Sequence, residues 1–240
     1  MLEVKTPPQK LTNHKRFKLK EVSIVKADKT TPFLAWPGLN YYIFCNLVGL
    51  GSLLVFIIFY GGASYLTGLH SFRLRCDFPF EQMIPFVPQM SLPYIMLFPA
   101  MALSAFIIRE RRAYWRYARS LTVQLMIAAV FFILIPMRDG YTDIEPTGAF
   151  ANVFRFADFI NLNHNNVPSL HVAFAVTTAY TFASYTNGVI TKIFIASFCA
   201  LIAVSAVLTH QHNLVDVITG YLLARMVNGR MQQSTGRALC

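Results

Sequence analysis

Apolar positions in this chain gather into long blocks rather than into an alternating or one-faced rhythm. Six blocks stand out, over roughly residues 41–60, 92–108, 120–137, 169–185, 189–208 and 214–227. A hydrocarbon core of about 30 Å takes about 20 apolar residues of helix. The first, third and fifth blocks meet that length unaided, and the others are expected to be completed by their flanks. The pattern predicts an all-α fold, an integral membrane bundle of six transmembrane helices over residues 38–230. A basic tail, 1–37, precedes it, and a short tail, 231–240, follows. Prolines interrupt residues 70–90, which nevertheless stay rich in Phe and Met. That composition suits a re-entrant or interfacial segment as well as a plain connecting loop.

Composition agrees. Hydrophobic residues make up 55% of the chain and charged residues 13%, about half the charged share of an ordinary soluble domain. Mean hydropathy is +0.46. Disorder, a collagen-like repeat and a small disulfide scaffold are excluded by the same values. The four cysteines form no Cys-x-x-Cys pair, which argues against a zinc ribbon.

The net charge of +10 would suggest nucleic acid in a soluble protein. Its distribution points to a membrane instead. Assigning loops to alternate sides puts 17 of the 21 basic residues on one side, in the tail, the 109–119 stretch, Lys192 and the C-terminal end. The positive-inside rule then predicts both termini in the cytoplasm. The tail would fix topology, and it also suits anionic headgroups. Residues 1–32 are polar and basic, unlike a cleavable signal peptide. The expected location is a bacterial plasma (inner) membrane, with the chemistry facing the periplasm or outside.

Polar residues near spans are costly and tend to serve function. They concentrate on the predicted outer face, as Arg138, the run NVPSLH (166–171) and the run HQHNLVD (210–216). His212 and Asp216 are four apart, so on a helix they share one face. The carboxylate can then fix the tautomer of His212 and sharpen its other nitrogen as a nucleophile. His171, from another helix, can serve as acid and base. Pro168-Ser169 reads as a helix start whose free N–H groups suit an anion. Arg138 offers fork geometry to phosphate oxygens.

The segments NVPSLHVAFAV and SAVLTHQHNLVDVITG resemble the second and third signatures of the phosphatidic-acid phosphatase type 2 superfamily. The matching residues are Pro168, Ser169 and His171, and Ser205, His212 and Asp216. The resemblance implies a phosphohistidine mechanism without metal or organic cofactor. His212 would be the nucleophile, Asp216 its orienting partner and His171 the general acid, later the base. Arg138 and Ser169 would hold phosphate oxygens, with His210 and Arg155 as further candidates for that task. A lipid phosphate is the expected substrate, and nucleic acid is not an expected partner.

The chain departs from the phosphomonoesterases of that superfamily. Ala206 stands where they carry Arg, Phe131 where the first signature has Lys, and Leu170 in place of Gly. In these respects it is similar to inositol phosphorylceramide synthase-like members, which move a phospho-headgroup between lipids. The leading expectation is a lipid phosphatase, with a lipid phosphotransferase as the alternative. Two readings of other classes remain. His210, His212 and Asp216 are residue types that suit zinc or iron, and a transporter or scramblase needs no nucleophile. The spans lack the buried charges of an ion pathway.

Overall fold

The computed structural model describes residues 32–137, 140–141, 144–162 and 165–237. Arg138, His164 and most of the basic tail lie outside the described residues. The described chain is helical and contains no strand, only one isolated bridge between Leu74 and Met137.

Helix α1 (Leu39–Phe56) continues through a π-helical turn (Ile57–Gly61) into α2 (Gly62–Gly68). The expected second span is broken into α3 (Ser91–Ile95), α4 (Leu97–Ala102) and α5 (Ser104–Ile107). Pro93 and Pro99 lie within it, and each lacks the N–H that a continuous helix would use. Then come α6 (Arg111–Leu134), α7 (Ala151–Asn161), α8 (Leu170–Ser184), α9 (Val189–Leu208) and α10 (Leu214–Arg237).

Three described helices are long and apolar enough to cross a membrane: Leu39–Gly68, Arg111–Leu134 and Val189–Leu208. They are the first, third and fifth expected blocks. Half of the α6 window is buried within the protein, against 11% for Leu39–Gly68 and 22% for α9. The core therefore runs through α6 and α8, and α1 and α9 present their apolar sides outward. Helix α8 packs against α6, α9 and α10, with Leu170, Ala173, Phe174, Leu223 and Ala224 in the shared core.

The two ends of the bundle differ. At one end, Arg109 donates to the carbonyls of Pro32 and Phe33, and the Phe33 ring meets Phe182 at the end of α8. At the other, Thr67 and His70 bond to carbonyls of Phe132 and Ile133 at the end of α6. The 70–90 segment folds over this second end. It forms two 3-10 turns, Pro79–Met83 and Pro88–Met90, and Val87 N–H donates to the Leu208 carbonyl at the end of α9.

Candidate active site

Ser169 is the N-cap of α8. Its Oγ accepts from Val172 N–H at 3.4 Å, and its own N–H donates to the Asp216 carbonyl at 3.1 Å. That bond knits the start of α8 to the first turn of α10. Gly220 permits the approach, since a Cβ there would lie 2.4 Å from the Ser169 carbonyl oxygen. His171, in the first turn of α8, is thereby brought opposite His212, with ring centroids 6.3 Å apart.

His212 lies in the turn just before α10 rather than on the helix. The i, i+4 contact still forms, because Asp216 turns back over the helix start. Its Oδ2 accepts from Asn213 N–H at 3.0 Å and lies 3.2 Å from His212 Nδ1. This is the acidic half of a capping box, and it serves the histidine as well. Both side chains are 1% exposed. The Nε2 atoms of His171 and His212 are buried and have no hydrogen-bond partner. A buried polar atom without a partner is costly, so two in one place make this the candidate site.

His171 is held from behind. Its ring stacks on Tyr94 at 3.9 Å, meets the edge of Phe98 at 5.7 Å, and its Nδ1 lies 2.9 Å from the Tyr94 hydroxyl. Tyr94 also donates to Asn161 Oδ1 at 3.0 Å. Glu81, fully buried, reaches the same region from the 70–90 segment. Its Oε1 accepts from Phe78 N–H and its Oε2 from Leu214 N–H, both at 2.8 Å. A carboxylate at the first turn of α10 suits the helix dipole.

The other expected anion contacts are placed differently. His210, at φ +56°, stacks on Tyr141 at 3.9 Å, and its Nε2 bonds the Ile84 carbonyl at 3.0 Å. Burial against these rings and Phe86 holds its pKa below the ordinary histidine value. Arg155 is on the exposed side of α7, beside Asn152 at 3.3 Å and Glu145 at 3.9 Å. The structure does not bring it to the histidine pair. Among the described residues, no group of three or more His, Cys, Asp or Glu is placed to hold a metal ion.

Residues 139–236 match the family model of the PAP2 superfamily. Over that stretch the chain is similar to the PAP2 superfamily. No curated protein and no solved structure matches it. The PAP2 segment contains Ser169, His171, His212 and Asp216. Glu81 and Tyr94 lie outside it, and sequence reasoning missed both, together with Asn161. Glu81 had a legible signal, an acid inside the apolar run FPFEQM. Tyr94 had none, being one aromatic residue among many in the spans.

Ala206, at the position of the monoesterase arginine, is fully buried and clusters with Tyr94 and Ala157. Apolar packing fills that place in this chain.

Proposed function

We propose that this protein is a membrane lipid phosphatase that works through a covalent phosphohistidine on His212. The PAP2 match over residues 139–236 supports phosphatase or phosphotransferase chemistry in general. The observation that carries the specific reading is the pair of unpartnered Nε2 atoms on His171 and His212, beside the Asp216 contact. With Nδ1–H donating to Asp216, His212 keeps its lone pair on Nε2. That atom attacks phosphorus, and the bond to the lipid oxygen breaks as protonated His171 supplies a proton. Neutral His171 then takes a proton from water as the water attacks phosphorus. The P–N bond breaks, and inorganic phosphate leaves.

Arg138 and the N-terminus of α8 at Ser169 are the proposed phosphate contacts. The six-span, N-in/C-in topology belongs to the same reading, with the site at the outer face of a bacterial plasma membrane. The three apolar helices and the opposite placement of Arg109 and the histidines support it.

A second reading is favoured by Ala206. A phosphodiester monoanion needs less positive charge than a phosphomonoester dianion, and Ala206 sits in an apolar cluster. On this reading the phosphohistidine carries a headgroup and a lipid alcohol replaces water.

Purified enzyme in detergent with EDTA separates the two. Phosphate release from phosphatidic acid, abolished in His212→Ala, is the expected result. A new headgroup lipid formed only from a phosphodiester lipid plus a lipid alcohol would replace the phosphatase by the transferase. Full activity of His212→Ala in both assays would remove the covalent mechanism.

A further inference from the structure

We propose that Tyr94 and Asn161 are positioning residues that hold His171 in its Nδ1–H tautomer, leaving Nε2 as the atom that carries the proton. The inference rests on the reading of His171 as acid and base, and its structural half can be tested without turnover.

The argument is one of donors and acceptors. The Gln211 main-chain oxygen can only accept, and Asn161 Nδ2 donates to it at 3.5 Å. The amide is thereby oriented with Oδ1 towards Tyr94, 3.0 Å away. An amide oxygen can only accept, so the single hydroxyl proton of Tyr94 is committed to Asn161. The Tyr94 oxygen therefore faces His171 Nδ1, at 2.9 Å, as an acceptor. His171 Nδ1 must carry a hydrogen. In the neutral ring Nε2 then bears the lone pair, and Nε2 is the atom left buried and unpartnered.

The relay is built into the fold at several points. Tyr94 is fully buried, Asn161 is 7% exposed, and the Tyr94 ring also supplies the stacking surface under His171. Asn161 is the last residue of α7, and its main-chain carbonyl accepts from the Tyr60 hydroxyl. Four separate segments, carrying Tyr60, Tyr94, Asn161 and Gln211, thus form the chain of bonds behind one ring nitrogen. Tyr94 is also the neighbour of Ala206, so the apolar cluster there supports the relay.

The titratable groups facing His171 are Tyr94 from α3 and His212 from the turn before α10, with Asp216 behind His212. Asp158 of α7 lies one step beyond Asn161, accepting from the Gln211 side chain at 3.1 Å. The Asn161→Asp variant adds a carboxylate at the end of the relay, and opposite charge at such range favours the protonated imidazole.

The test uses the full chain in detergent, labelled with [15N]histidine. The His171 signals are assigned by their loss in His171→Ala. The expected spectrum shows the Nδ1–H tautomer in the native protein and mixed tautomers in Tyr94→Phe. In parallel, phosphate release from phosphatidic acid is followed against pH. Tyr94→Phe should lower kcat about tenfold with KM little changed, a share of the usual general acid–base contribution. Asn161→Asp should move the alkaline limb up by about one pH unit.

An Nε2–H tautomer in the native protein overturns the proposal, as does a Tyr94→Phe spectrum identical to the native one. An unshifted alkaline limb in a folded Asn161→Asp overturns it too. Where Asn161→Asp does not fold, the Tyr94→Phe spectrum decides. A native Nδ1–H tautomer without turnover of any phospholipid would sink the proposed function and leave the relay standing.

Discussion

The main-chain N–H of Ser169 donates to the carbonyl of Asp216 at 3.1 Å, a bond between the starts of two different helices. It sets the distance between the two histidine-bearing segments, and Gly220 makes it attainable. Gly220→Ala would place a Cβ 2.4 Å from the Ser169 oxygen and 3.2 Å from its carbonyl carbon. Backbone cannot swing aside as a flexible side chain does, so α10 must move. The expected cost is about 1–3 kcal/mol, with lost phosphate release. Gly49→Ala, with nothing within 4 Å of its Cβ, is the control. Equal thermal midpoints for the two variants would show that the close approach is unimportant.

Asp216→Asn tests the tautomer of His212. The amide can turn its NH₂ towards Nδ1, which would shift the ring hydrogen to Nε2 and remove the lone pair from the attacking atom. Turnover should fall about 10³–10⁴-fold, as for other His–Asp pairs. Because the same Oδ2 accepts from Asn213 N–H, that turn also removes one cap bond, at about 1 kcal/mol, and the chain should stay folded with a slightly lower thermal midpoint. Phosphate release and a thermal melt measure the two effects separately. Activity within tenfold of native would take Asp216 out of the mechanism.

Much of this site was legible because its chemistry is local. His212, Asn213 and Asp216 lie within one turn, and Ser169 caps the helix that carries His171, so spacing alone predicts both arrangements. One local detail differed, since His212 precedes the helix and the carboxylate bends back to meet it. Tyr94 and Asn161 were not legible, and Glu81 showed only as an acid in an apolar run, with nothing to say what it meets. Each meets the site over a long sequence separation, 133 residues from Glu81 to Leu214 and 77 from Tyr94 to His171. Periodicity carries no information at that range. The same holds for His210, whose Ile84 and Tyr141 contacts make it an anchor for the covering segment. Block lengths separated the three long apolar helices from the rest. The breaks in the second block, at Met96 and Leu103, were not expected, and Pro93 and Pro99 lie inside the short helices that flank them.

His210 makes stability depend on pH. Its folded pKa lies below the ordinary value, through burial, so the unfolded chain binds the proton more readily. The contribution is fully present above the unfolded value of about 6.5 and is lost as pH falls from there towards the folded pKa. The native protein should therefore melt at lower temperature at pH 5 than at pH 7.5. His210→Asn keeps a residue that tolerates φ +56° and removes the titration. Its melting temperature should fall less over the same interval. An equal fall in both proteins would assign the acid sensitivity to other groups.

Glu81 decides whether the 70–90 segment stays on the site. Its two oxygens accept from Phe78 N–H and Leu214 N–H at 2.8 Å each, and the Tyr141 hydroxyl donates to Oε2 at 3.3 Å. Glu81→Ala leaves both backbone donors without an acceptor, at about 1–3 kcal/mol for each buried group. Glu81→Gln keeps one acceptor oxygen and should fall between alanine and native. Because Phe78 and Leu214 lie on different segments, the loss should also free the segment locally. Limited proteolysis within residues 70–90 should speed up in Glu81→Ala before global unfolding is seen. If thermal midpoint and cleavage rate both match the native protein, the carboxylate is not what fastens the segment. The His210–Ile84 bond and the Val87–Leu208 bond would then hold it without Glu81.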